Sequence, residues 1–360
     1  MNASLSFKPN LHETVDRMRR FWALEVPLDR VPMIIHLPSA REGGLDGSFF
    51  GRIEEYAEYM EEHFERRAGV ADEYIPQVTP QFGHSIIAAL CGAELSHSAE
   101  TVWTRPIIND LTARAPLRLD WENEWGKKFR EEYRYLLARA KGKYAVGEYE
   151  IEGVSDTLSA VRGAENIIHD FYENPEAARE LARQVADILI EFGKWCNVEL
   201  GQDLLGGMTS GYGLWMPKAS CVTTEDFTVM CGPGFYDTYI KEHTERLASS
   251  FAKTLMEVHK EGNHHIKGFG NTSGVSIMTI ENLMGMDDRH FRSLKELFGR
   301  MCFFIHVRPD QVRSVLEMTG TKGILLATYA SSVEKAGEIL KTAENSTQRA
   351  LKTLRESVPR

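Results

Sequence analysis

Apolar positions come in two rhythms along this chain. Val15, Met18, Phe21, Trp22 and Leu24 recur at helical spacing and stop before Pro27, which predicts a leading helix within residues 11–25. The run Val31-Pro32-Met33-Ile34-Ile35-His36-Leu37 is continuously apolar and flanked by prolines, the pattern of a strand buried on both faces in a parallel sheet. Ile53 to Arg67 reads as an exposed helix. Asp72 to Val78 reads as a second strand that leads into Thr79-Pro80-Gln81-Phe82-Gly83-His84. An amphipathic helix over Trp121 to Ala140 precedes a third strand, Tyr144 to Ile151. Ser155 and Asp156 are suited to cap the helix after it, and Asn174 with Pro175 opens a long helix over 175–200.

Leu204 to Met216 gives a fourth strand and loop, and two helices fill Thr224 to Lys260. Strand five is expected at His264 to Gly268, with Val275 to Ile280, Met301 to Val307 and Gly323 to Thr328 as strands six to eight. Strands alternating with helices over the whole length predict an α/β fold, a single (β/α)8 TIM-type barrel over residues 31–360 behind an N-terminal helical extension over 1–30. One connection fits poorly. Only a handful of residues separate strands five and six, where a parallel crossover needs about a dozen. No linker, repeat or low-complexity tract divides the chain.

Composition narrows the partners. Hydrophobic residues make up 42% of 360 and charged residues 26%, with a net charge of −10, so no basic footprint for nucleic acid exists. The five cysteines are scattered without CxxC spacing, which fits a reducing cytoplasm. The first residues lack a secretory pattern and no apolar run reaches eighteen residues, so neither export nor membrane insertion is expected. The expected partners are a small molecule and, as an assembly the sequence allows, a second copy in a homodimer.

Candidate chemistry gathers at strand ends, where barrels of this kind carry their sites. His36, Gln77, Gln81, His84, Glu148, Glu150, Asp156, Trp215, His265, Lys267, Glu281, His306 and Tyr329 would form the polar mouth. Glu148, Glu150, Asp156, His265 and Lys267 are the acid/base candidates; the others would bind substrate, with Trp215 stacking on a planar or methylated group. The stretch His264-His265-Ile266-Lys267-Gly268-Phe269-Gly270-Asn271 combines polar side chains with loop glycines, and its plainer reading is a turn. For His36 and His306 the plainer reading is a satisfied core histidine, and for Trp215 packing. His36, His265, His306 and Glu281 are metal-ligand types, without a local motif such as HExxH.

Val146-Gly147-Glu148, Asp156 to Gly163, Phe171 to Glu176, Pro80 to Gly92 with Trp103-Thr104, Trp215-Met216-Pro217 before Thr224 to Phe227, and Val307-Arg308-Pro309-Asp310 before Gly323 to Leu326 follow one another in an order that resembles the uroporphyrinogen decarboxylase superfamily. The resemblance covers roughly residues 30–345. It implies a (β/α)8 barrel and one of two chemistries: cofactor-free decarboxylation of a tetrapyrrole, or methyl transfer linked to a corrinoid and assisted by zinc. The chain departs from both. An arginine-rich loop of the decarboxylases is replaced by His36-Leu37-Pro38-Ser39, with Arg41 the nearest base. In the methyltransferases a His-x-Cys motif ends strand five and another Cys ends strand eight. With strand five at 264–268, Lys267 and Tyr329 fall at the two thiolate positions, so cysteine-ligated zinc is not expected. The remaining readings are corrinoid-linked methyl transfer or acid/base chemistry on a small substrate, tetrapyrrole decarboxylation, and a binding barrel without catalysis.

Overall fold

The computed structural model describes residues 4–38, 49–83, 85–98, 102–201 and 203–357, with side chains to 352. Strands in chain order are β1 Met33–His36, β2 Gln77–Val78, β3 Leu95–His97, β4 Val102–Thr104, β5 Ala145–Val146, β6 Gly207–Thr209, β7 Trp215–Pro217, β8 Cys221–Thr223, β9 Thr254–Met256, β10 Val275–Ile280, β11 Cys302–His306 and β12 Ile324–Tyr329. A curled parallel sheet runs β1-β12-β11-β10-β9-β8. In it Met33 lies opposite Leu326, and Phe303 opposite Ile324. β2 and β5 form a separate parallel pair, tied onward by single bridges, Glu148 to Ser210 and Ile151 to Thr223. The expected α/β alternation is present, but the continuous sheet has six strands where eight were expected. β3–β4 and β6–β7 are antiparallel hairpins outside it.

The last three expected strands match β10, β11 and β12, because each is a run of five or six residues buried along most of its length. The middle of the chain needs correction. Leu204 to Met216 builds most of the β6–β7 hairpin, and the parallel strand after the long helix Pro175–Leu200 is β8. His264 to Gly268 is no strand: a 3-10 turn Lys260–His265 runs into the helix Ile266–Gly270. Gly262, His265, Ile266 and Phe269 are its buried positions, spaced i, i+3, i+4, i+7 as a helical stripe. Strand five of the parallel order is β9, only three residues long. The segment between β9 and β10 is then ample for a crossover.

The helix Leu11–Trp22 buries Leu11, Val15, Met18, Phe21 and Trp22, and the Trp22 indole Nε1 donates to the Trp215 carbonyl at 2.9 Å. No described helix is long and apolar enough to cross a membrane.

The join between β1 and the segment before β2 is made by side chains. Asp72 and Glu73 are completely buried. Glu73 Oε2 accepts the Met33 amide at 2.7 Å, and Asp72 Oδ2 accepts the Ile35 amide at 2.8 Å, so two carboxylates satisfy strand donors that a neighbouring strand would otherwise take. That explains why the expected strand from Asp72 shrinks to Gln77–Val78. Cations neutralise both acids: Arg30 reaches Glu73 at 2.6 Å, Arg17 reaches it at 2.5 Å, and Arg67 reaches Asp72 at 2.8 Å. Removing one member strands its buried partners without a counter-charge. Glu73→Gln is therefore expected to destabilise the chain by about 3–5 kcal/mol in urea denaturation. Asp16→Ala, which removes an exposed ion pair to Arg19, should change it by less than about 0.5 kcal/mol.

Candidate functional site

β8, β9, β10 and β11 end side by side, and the residues just past them are acidic or imidazole. β9 runs into Glu257-Val258-His259, β10 into Glu281, β8 into Thr224-Glu225-Asp226, and β11 ends on His306. His259 stands among the carboxylates: its Nδ1 is 3.2 Å from Glu281, its Nε2 3.6 Å from Asp226 and 4.0 Å from Glu257. Burial alone would lower the affinity of His259 for a proton. Asp226, Glu257 and Glu281 outweigh that and raise it, so the ring is held toward imidazolium. His306, stacked on Phe304 at 5.2 Å between ring centroids, is shifted the other way by burial. Neighbouring histidines thus carry opposite preferences, an arrangement that divides acid and base roles.

Beside them sits a pair of carboxyl groups. Glu150 is hydrogen-bonded to Glu257, and its Oε1 is shut off from solvent without a partner. Burial, and next the Glu257 charge, hold Glu150 well above the usual carboxylate range. Beside the Glu257 carboxylate, Glu150 therefore keeps its proton at neutral pH. Glu148 is fully buried with both oxygens unpartnered, and burial likewise keeps it protonated.

The helix Val154–Arg162 begins at the same end. Its expected caps, Ser155 and Asp156, do not cap it. Glu225 does so from a distant loop, accepting the Ser155 amide at 2.9 Å and the Val154 amide at 3.3 Å. Gly153 permits this approach, since a Cβ there would lie 1.9 Å from the Thr224 carbonyl oxygen. Asp156 turns back to accept the amides of Asp226 and Phe227 at 3.1 and 2.7 Å. Burial, then the charges of Glu225 and Asp226, push Asp156 up to about 8. Above these groups opens a cleft of about 650 Å³ whose lining includes Trp103, Glu152, Asp156, Asp226, Met230 and His259. Trp103 stands 47% exposed on the β3–β4 hairpin. Among the described residues, none of those lining it is a lysine or arginine.

Of the residues expected at the mouth, the structure gathers Glu150, Asp156, Glu281 and His306. His36 ends β1 with its ring 5.4 Å from that of Tyr329, and burial lowers its pKa to about 4. Tyr329 is exposed. Gln77 donates to the Gly211 carbonyl and Gln81 to that of Thr79, so both hold loops. His84, like Ser39 and Arg41, lies outside the described residues. Trp215 is buried in β7, its Nε1 donating to the Leu204 carbonyl at 2.8 Å, which is a packing role. His265 donates from Nε2 to the Thr228 carbonyl at 2.8 Å and packs on Phe269. Lys267 does not pair with Glu148, Glu150 or Glu281; it is exposed and lines a second pocket.

Glu257 and His259 escaped the sequence reading because β9 was absorbed into a helix. The short run Thr254-Leu255-Met256 followed by polar residues two apart was the available signal. With strand five at β9, the place of the methyltransferases' His-x-Cys motif falls on Glu257-Val258-His259, so the zinc-binding set does not fit. Neither Glu257 nor His259 is a thiol. Among the described residues no three His, Cys, Asp or Glu side chains are grouped to hold a metal ion.

The raised pKa of Asp156 has a consequence for stability. Folded, the group keeps its proton to about pH 8, whereas unfolded it loses it near pH 4. Its contribution is full at acid pH, declines between those values and is gone above them; the raised His259 acts in the same direction. Wild-type protein should therefore lose stability relative to Asp156→Asn as pH rises from about 5 to about 8, read from urea midpoints.

No family model and no curated protein sequence matches the chain. A solved methyltransferase from Methanosarcina mazei matches it in structure, with a TM-score of 0.60 and 12% sequence identity over 96% of this chain and 99% of that one. At that identity the likeness is one of fold.

Proposed function

We propose that the chain is a methyl-transfer enzyme of the uroporphyrinogen decarboxylase-like, corrinoid-methyltransferase branch, and that it demethylates a small cationic or neutral substrate by acid/base chemistry in the cleft beside His259. In this reading β2 and β5 complete a closed (β/α)8 barrel, joined to β8 through the Ile151–Thr223 bridge and to β1 through the Glu73 amide and the Met33 carbonyl. The observation that carries the proposal is the cluster at the strand ends, where His259 stands within 4.0 Å of Asp226, Glu257 and Glu281 and buried Glu150 lies against Glu257. When a methyl group leaves an ether oxygen, the bonding electrons stay on that oxygen, which then takes up a proton, whereas a quaternary ammonium leaves as a neutral amine and needs none. Glu150, Asp156 and His259 hold protons for the leaving oxygen. The methyl group goes to an external nucleophile, for which a reduced corrinoid is the leading candidate.

The lining supports this over tetrapyrrole decarboxylation. A polyanionic tetrapyrrole would meet no lysine or arginine among the described lining residues, whereas a methylated ammonium is attracted by the Asp226 carboxylate and by the exposed Trp103 face. A binding barrel without catalysis has no use for titratable pairs in hydrogen-bond reach, and here Glu150–Glu257 and His259–Glu281 are two.

Incubated with tetramethylammonium or an aryl methyl ether and a reduced corrinoid, the protein is expected to methylate the acceptor, followed by its absorbance. With the aryl methyl ether, whose leaving oxygen takes up a proton, Glu257→Gln should lower the rate by about 10²-fold or more. Wild-type rates in Glu257→Gln, or release of carbon dioxide from a porphyrinogen with methylated compounds untouched, would overturn the proposal.

A further inference from the structure

A second pocket of about 520 Å³ opens beside the mouth, across the paired 3-10 turns Asp226–Met230 and Lys260–His265. Its chemistry is opposite to that of the cleft. Lys241, Lys267 and Arg289 line it with His264 and His290, and the one carboxylate in the lining is Asp237. In a chain of net charge −10 such a local excess of cations is unusual. None of the three cations has a carboxylate within ion-pairing distance among the described residues, although exposed cations elsewhere on this surface, such as Arg313 and Lys335, have one. Arg313 reaches Glu317 at 2.8 Å, for instance. His290 is taken by Asp287 at 2.7 Å, and His264 donates from Nε2 to the Cys231 carbonyl at 3.1 Å, so both rings are fixed in place.

The backbone around the pocket is specialised. Tyr236–Ile240 forms a π-helical turn immediately before Lys241, a conformation that is rare and recurs at functional sites. The Tyr236 hydroxyl bonds Thr272 at 2.7 Å, and Asn271 donates to the Lys267 carbonyl at 2.8 Å, which locks the short helix Ile266–Gly270 against that turn. Gly268 allows the contact: a Cβ there would lie 3.1 Å from the Tyr236 ring and 3.3 Å from Asp237. The turn, the short helix and the first turn of the helix Asp288–Lys295 thus bring three positive charges to one recess.

We propose that this recess binds a phosphate monoester of a small molecule. Three unpaired cations converging on one space suit a group carrying close to two negative charges and several acceptor oxygens. Volume and shape favour a small molecule over an acidic protein surface, since Lys241, His264 and His290 are half-buried inside a recess larger than a bare phosphate ion needs. The site does not depend on the chemistry assigned to the cleft, and it gives a role to the stretch around Lys267.

Calorimetric titration of the full chain at low ionic strength, with inorganic phosphate and with glycerol 3-phosphate, tests this. Saturable binding of one equivalent is expected for both, tighter for glycerol 3-phosphate. Lys267→Met and Arg289→Met should each weaken it by about tenfold or more, while Lys335→Met leaves it unchanged. These side chains lie at the surface, so thermal melts of the variants should overlay that of wild type. No saturable binding, undiminished binding in both pocket variants, or binding of an oligoglutamate peptide but of neither phosphate would overturn the proposal.

Discussion

Buried carboxyl groups need a counter-charge or a proton, and this fold answers that constraint in two ways. Before β2, Asp72 and Glu73 are given arginines and serve as charged acceptors for the amides of β1. At the strands' carboxyl ends, Glu148, Glu150, Glu152 and Asp156 have no such cations, and burial holds each in its protonated form at neutral pH. The first arrangement is a structural clamp. The second keeps ionisable groups poised, at some cost in stability, which is the pattern expected where chemistry is done.

The sequence showed the architecture better than the site. β10, β11 and β12 were legible because a strand buried on both faces leaves an unbroken apolar run of five or six residues. β8 and β9 were not, because three residues are too few to set a period, and β9 follows a helix with little punctuation. That one omission moved strand five onto His264–Gly268, where glycines hide the helical stripe of Gly262, His265, Ile266 and Phe269. It also removed Glu257 and His259 from view. Glu150, Glu281 and His306 were still found, since each stands near the end of a segment that had been placed.

Two pockets of opposite charge lie on either side of one short partition, the 3-10 turns around Asp226–Met230 and Lys260–His265. The partition is tied through buried His265, whose ring donates to the Thr228 carbonyl. Asp226 and His259, on one side, and His264, on the other, belong to the same two chain segments. A shift of the partition would therefore be felt in both pockets, without any longer path between them.

Buried against Glu257, Glu150 keeps its proton at neutral pH. Infrared spectroscopy of protein carrying isotope-labelled glutamate measures this directly, because a protonated carboxyl and a carboxylate absorb separately. A protonated glutamate band at neutral pH that diminishes in Glu150→Gln is the predicted result. A spectrum at neutral pH in which Glu150→Gln removes only carboxylate absorption would contradict it.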